Sequence, residues 1–115
     1  MKIALAQLNY HVGNFESNTN KIIDHIHQAK QQGVDLIVFA ELCVCGYPAR
    51  DFLEFREFIG LCDEAAKKIA AACNDIACII GLPTVNNNPE GKDLNNSAYF
   101  IENGQVKAIV NKALL

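Results

Sequence analysis

Glu41 ends the unbroken apolar run Leu36-Ile37-Val38-Phe39-Ala40 and stands just ahead of the turn Gly46-Tyr47-Pro48. A buried strand has no structural need to finish in a charge. In α/β proteins, however, ligands bind outside the carboxyl ends of the parallel strands, where catalytic groups are mounted. A carboxylate partly desolvated at such a strand end has its pKa raised and can act as a general base. Residue type alone leaves the plainer reading open, in which Glu41 is a loop ion-pair partner or a helix cap. Nearby, Cys43 and Cys45 form a C-x-C pair. No second C-x-x-C and no H-x-x-x-H accompany it, as structural zinc would require. Tyr47 reads on its own as a turn aromatic against Pro48. His11, His25 and His27 do not converge in sequence and read as surface histidines.

The hydrophobic period predicts the elements that must carry these groups. Lys2 to Leu8 reads as a first, interior strand with both faces covered. A helix follows from about Ser17, capped by Ser17 or a neighbouring Asn, with Ile22, Ile23, Ile26 and Ala29 as its apolar stripe and Gly33 as its stop. Asp35 to Ala40 is apolar throughout, as a strand buried on both faces would be. Phe52, Phe55 and Phe58 come next, an aromatic cluster of core character. A second helix is expected from about Glu57 to Asn74. Its buried face carries Ile59, Cys62, Ala66, Ile69, Ala70 and Cys73, and its solvated face Asp63, Glu64, Lys67 and Lys68. Ile76 to Leu82 reads as a third strand ended by Pro83, and Asn86 to Asp93 as a polar loop. Asn96 to Ile101 and Gln105 to Val110 are joined through Asn103-Gly104, the strongest short hairpin signal. The order is βαβα followed by three strands, an α/β layered sandwich with a mixed sheet.

Composition narrows the function classes. At 50% hydrophobic and 20% charged residues, the 115-residue chain should form a packed core. A formal net charge of -3, with no run of basic residues, argues against nucleic-acid binding. No apolar stretch approaches the roughly 20 residues needed to span a bilayer, so the chain reads as cytoplasmic without membrane contact. Five cysteines are an odd count. Cys62 and Cys73 fall on one helical face and Cys78 within a strand, which reads as buried reduced thiols and not a disulfide framework. The apolar end at Ala113-Leu114-Leu115, directly after a strand, reads as an interrupted domain. An apolar edge and an uncovered face would then invite self-association.

Several segments together carry a resemblance. Ile3 to Asn9, Val12-Gly13-Asn14, Asn18, Leu36 to Phe39 with Glu41, Gly46-Tyr47-Pro48, Asp51, Gly81-Leu82-Pro83, Asn96-Ser97-Ala98, Gly104 and Lys112 with Leu114 resemble the nitrilase (carbon-nitrogen hydrolase) superfamily. Within it they are most similar to the N-terminal glutaminase domain of glutamine-dependent NAD synthetases. The resemblance implies an α-β-β-α layered sandwich of which residues 1–115 are the N-terminal part. It also implies a Glu, Lys, Cys triad, with Glu41 as general base, Lys112 as the supporting lysine and Tyr47 lining the glutamine pocket. The family's nucleophile lies downstream of the lysine, outside these residues, so the chain alone is expected to be inactive; Cys43 and Cys45 sit on the wrong element to replace it. The implied parent activity is glutamine hydrolysis supplying ammonia for ATP-dependent amidation of nicotinic acid adenine dinucleotide. The implied partners are glutamine, a C-terminal synthetase domain and further copies in a homo-oligomer. The glutaminase part needs no cofactor, with ATP and Mg belonging to the absent synthetase domain. Two departures stand out: Ala40 replaces a common proline, and Asn95 a common aromatic. The alternatives are a fragment of another nitrilase-type amidase acting on a different amide or nitrile, or a noncatalytic association module.

Overall fold

The computed structural model describes residues 1–8, 14–40, 52–85 and 94–113, and only the backbone of 52–58, 85, 94–96 and 112–113. The elements run β1 (Ile3–Leu5), α1 (Phe15–Gln31), β2 (Leu36–Val38), α2 (Phe52–Ala72), β3 (Ala77–Val85), β4 (Leu94–Glu102) and β5 (Gln105–Ala113). The five strands form one sheet in sequence order. β1, β2 and β3 are parallel, with Ile3 opposite Leu36 and Leu36 opposite Ala77. β4 and β5 are each antiparallel to the strand before. The mixed sheet with two helices is the α/β layered arrangement that the hydrophobic pattern predicts.

Local chemistry explains the helix and turn boundaries. Asn14 caps α1, its side chain accepting a hydrogen bond from the Ser17 amide at 3.0 Å. Helix α1 therefore begins two residues before Ser17. At its other end Val34 N–H donates to Ala29 O at 3.0 Å and Gly33 N–H to Lys30 O at 3.1 Å. This pair of bonds is a Schellman motif, and it needs the left-handed φ of 75° that Gly33 adopts without strain. The β4–β5 hairpin turns through Asn103 (φ 54°) and Gly104 (φ 76°), the two consecutive positive values of a type I′ turn.

The core lies between the helices and one face of the sheet. Ile22 and Ile26 of α1, Cys62, Ala66 and Ile69 of α2, and Ile37, Cys78, Ile80, Leu82 and Ile101 of the strands form one buried cluster. Residues of alternate parity look the other way, where Leu5 is 77% and Val110 70% exposed on the outer strands while Ala77 and Pro83 of the central β3 are buried.

Four expectations change. Among the described residues β1 is an edge strand, not an interior one, and Ile3 as well as Leu5 is exposed, because both helices cover the same face. For the same reason β2 is buried on one face only, at Ile37. β3 continues through Pro83 to Val85, and α2 starts at Phe52. Pro83 is tolerated because β2 pairing stops at Ile79, so beyond it β3 has only β4 beside it among the described residues. Phe52, Phe55 and Phe58 belong to α2, but their side chains lie outside the described residues, as does the loop 86–93.

Exposed apolar side chains on the outer strands, Ile3, Leu5 and Val110, give the 115-residue chain a reason to self-associate. Sedimentation velocity should show oligomers that Leu5→Lys with Val110→Lys shifts toward monomer. A monodisperse wild-type monomer would count against this.

Candidate functional site

Strand direction brings the carboxyl ends of β1, β2, β3 and β5 and the start of β4 to one end of the sheet. The carboxyl ends of β1, β2 and β3 lie together because these strands are parallel. β4 starts at that end, with Leu94 opposite Val85, and β5 returns to it, with Lys112 opposite Asn96 and Ala113 opposite Asn95. Lys112 therefore occupies the carboxyl end of β5, within the strand. On the other side, Phe39 N–H donates to Ile79 O at 3.0 Å, which extends β2 pairing by one residue. Ala40 follows, exposed at the same end. Glu41 is one peptide step of about 3.8 Å beyond it.

Glu41, Cys43, Cys45 and Tyr47 lie outside the described residues, as does the Lys112 side chain. Three strand spacings, about 14 Å in all, separate β2 from β5.

What is described at this end is a polar relay across three strands. The Thr84 and Ser97 hydroxyls are 2.7 Å apart, and Ser97 O–H donates to Asn111 Oδ1 at 2.6 Å. With its proton committed to Asn111, Ser97 accepts from Thr84. Ser97 is 2% exposed, so this pairing satisfies a hydroxyl that water cannot reach. The relay joins β3, β4 and β5 one residue away from the Asn96–Lys112 pair. Sequence reasoning marks Asn96-Ser97-Ala98 as part of a resemblance but misses this role, which needs cross-strand register to be seen.

The groups with displaced pKa values lie elsewhere. Burial raises the Tyr99 phenol above its ordinary value, with Asp63 and then Cys62 adding to the effect. The Cys73 thiol is lowered, chiefly by its hydrogen bond with Cys78. His25 bonds Lys21 O through Nδ1 at 2.7 Å on α1, and His27 is exposed on the same helix. Among the described residues no group of three or more His, Cys, Asp or Glu could hold a metal ion, and no helix is long and apolar enough to cross a membrane.

Comparison with known proteins agrees with this architecture. The carbon-nitrogen hydrolase family profile matches residues 2–115, and the chain belongs to that family. More particularly, it is 33% identical over 113 residues to the glutamine-dependent NAD(+) synthetase of Xanthomonas campestris pv. campestris, covering 97% of this chain and 20% of that protein. The Synechocystis sp. protein of the same name is 38% identical over 117 residues, covering 98% and 21%. Among solved structures, the glutamine-dependent NAD(+) synthetase from Cytophaga hutchinsonii superposes with a TM-score of 0.83 at 31% identity, over 98% of this chain and 19% of that one. A mutant of the Nesterenkonia AN1 amidase from the nitrilase superfamily gives 0.76 at 28% identity, over 100% and 44%. The chain thus spans about a fifth of the length of the synthetases it matches.

Removing the central hydroxyl of the relay tests its worth. Ser97→Ala leaves the Thr84 hydroxyl without its acceptor and should cost about 1–2 kcal/mol. The urea midpoint should fall with the slope unchanged; an unaltered midpoint would mean that water replaces the relay at no cost.

Proposed function

We propose that this chain is the N-terminal part of a glutaminase that supplies ammonia to a glutamine-dependent NAD synthetase. The observation that carries the reading is the match of nearly the whole chain to the amino-acid sequences of such synthetases, at 33% and 38% identity in the two proteins above. The common sheet end reached by Ala40 and Lys112 supports it. In this reading Glu41 accepts the proton of a cysteine thiol supplied from outside these 115 residues. The thiolate attacks the side-chain amide carbon of glutamine, and the Lys112 ammonium hydrogen-bonds the oxyanion of the tetrahedral intermediate. On collapse the amide nitrogen takes up the proton held by Glu41 and leaves as ammonia. Water then hydrolyses the γ-glutamyl thioester to glutamate, with Glu41 again as base. Tyr47 lines the glutamine pocket. A synthetase domain, binding ATP and Mg, uses the ammonia to amidate nicotinic acid adenine dinucleotide. Full-length copies assemble as a homo-oligomer in the cytoplasm.

Likeness to the Nesterenkonia amidase over the full chain favours a second reading, in which the same base and lysine serve hydrolysis of another amide.

Two measurements separate these readings. The 115-residue chain alone should release no ammonia from glutamine above background; turnover abolished by Glu41→Gln would overturn that and bring Cys43 and Cys45 back as nucleophiles. In a longer chain that includes the synthetase domain, Glu41→Gln should lower glutamine-dependent NAD formation about 10²- to 10⁴-fold while ammonia-dependent formation is kept. Equal loss of both would remove Glu41 from the glutaminase role, and an absence of NAD formation in the wild type would favour the second reading.

A further inference from the structure

The corner between α2 and β3 holds chemistry that the glutaminase reading does not use. Cys73 is the first residue beyond α2, and Cys78 is the second residue of β3. Their sulfurs are 3.2 Å apart, inside the ordinary contact of two thiols. Both are reduced and wholly buried. Only Asn74, Asp75, Ile76 and Ala77 separate them in the chain, so a bond between the sulfurs would close a very short loop.

We propose that Cys73 and Cys78 form an oxidisable dithiol, which a small peroxide converts to an intramolecular disulfide across the α2–β3 corner. Cys73 is the attacking group. With the Cys78 S–H turned to donate across the 3.2 Å contact, the bond favours the Cys73 thiolate; burial opposes this, and the charge of Lys30 adds to the lowering. The Cys73 thiolate attacks one peroxide oxygen, the O–O bond breaks, and hydroxide leaves to take up a proton as water. The product is a sulfenic acid on Cys73. Cys78, as thiolate, then attacks the Cys73 sulfur; the S–O bond breaks and a second hydroxide leaves as water. Two thiols and one hydrogen peroxide become one disulfide and two waters.

Access comes from local opening of the corner. Asn74 and Asp75 are exposed, and Asp75 holds a left-handed φ of 64°. An opening limited to this turn uncovers Cys73 without separating the strands. The reduced-thiol reading of these two cysteines therefore describes one of two states of the corner.

Trypsin places Cys73 and Cys78 in peptide 69–92 with no other cysteine, Cys62 in 57–67, and Cys43 with Cys45 in 31–50. The 115-residue chain is treated briefly with hydrogen peroxide, far-UV circular dichroism is used to select doses at which it stays folded, and after quenching the free thiols are blocked with N-ethylmaleimide in denaturant, because Cys62, Cys73 and Cys78 are buried in the fold. Peptide 69–92 should come out two hydrogens lighter and untagged, while 57–67 carries the tag. In Cys78→Ser, Cys73 should accumulate as a sulfenic acid trapped by dimedone. Full tagging of both cysteines in 69–92, a disulfide from 69–92 to another peptide, or direct oxidation of Cys73 past the sulfenic acid in the wild type would overturn the proposal. The wild-type map decides the matter even if Cys78→Ser fails to fold.

Discussion

Ile22 and Ile26 of α1 and Ile69 of α2 lose all contact with water by packing over Ile80, Leu82 and Ile101 of the sheet. Each such side chain contributes about 1.5–3 kcal/mol. The gain is available only to residues of one parity, so a slip of one residue in β3 would turn Ile80 and Leu82 away from the helices, and one in β4 would turn Ile101 away. Helix packing thereby fixes strand register. Register in turn decides which residues meet at the carboxyl end of the sheet: Leu82 with Ser97, Ser97 with Asn111, and Asn96 with Lys112.

The polar relay reinforces this fixing where apolar contact is least able to. Near the sheet end, Thr84, Ser97 and Asn111 replace isoleucine and leucine, and hydroxyl hydrogen bonds are directional where apolar contacts are not. The same bonds hold the end of β5, where the Lys112 backbone follows Asn111 directly.

Much of this architecture is legible in the residues. The apolar run before Glu41 marks a strand end, Gly33 a helix stop, and Asn103-Gly104 a hairpin, each through a local steric or capping demand that one chain segment expresses alone. What sequence misreads depends on neighbours. Leu5 looks interior because an apolar residue on a one-sided sheet reads like one that is covered. Pro83 looks like a strand end because its missing amide matters only if a partner stands beside it. Ser97 looks like a motif letter until Thr84 and Asn111 are set across from it. Glu41 draws notice by its position after an apolar run; Lys112 enters only through family resemblance, since a lysine near the end of a strand has no distinguishing local chemistry, and both remain proposals.

The hairpin tip also touches the helix. Gly104 N–H donates to Cys73 O at 3.0 Å, and the last turn of α2 carries no basic side chain to meet its carbonyls. The bond links residues 31 positions apart, so it cannot form until both the helix and the β4–β5 turn exist. This has a kinetic meaning. The hairpin can close early from local chemistry, but its docking against α2 must wait for a long-range encounter, so the α2–β3 corner is among the last regions to gain protection from solvent exchange as the chain folds.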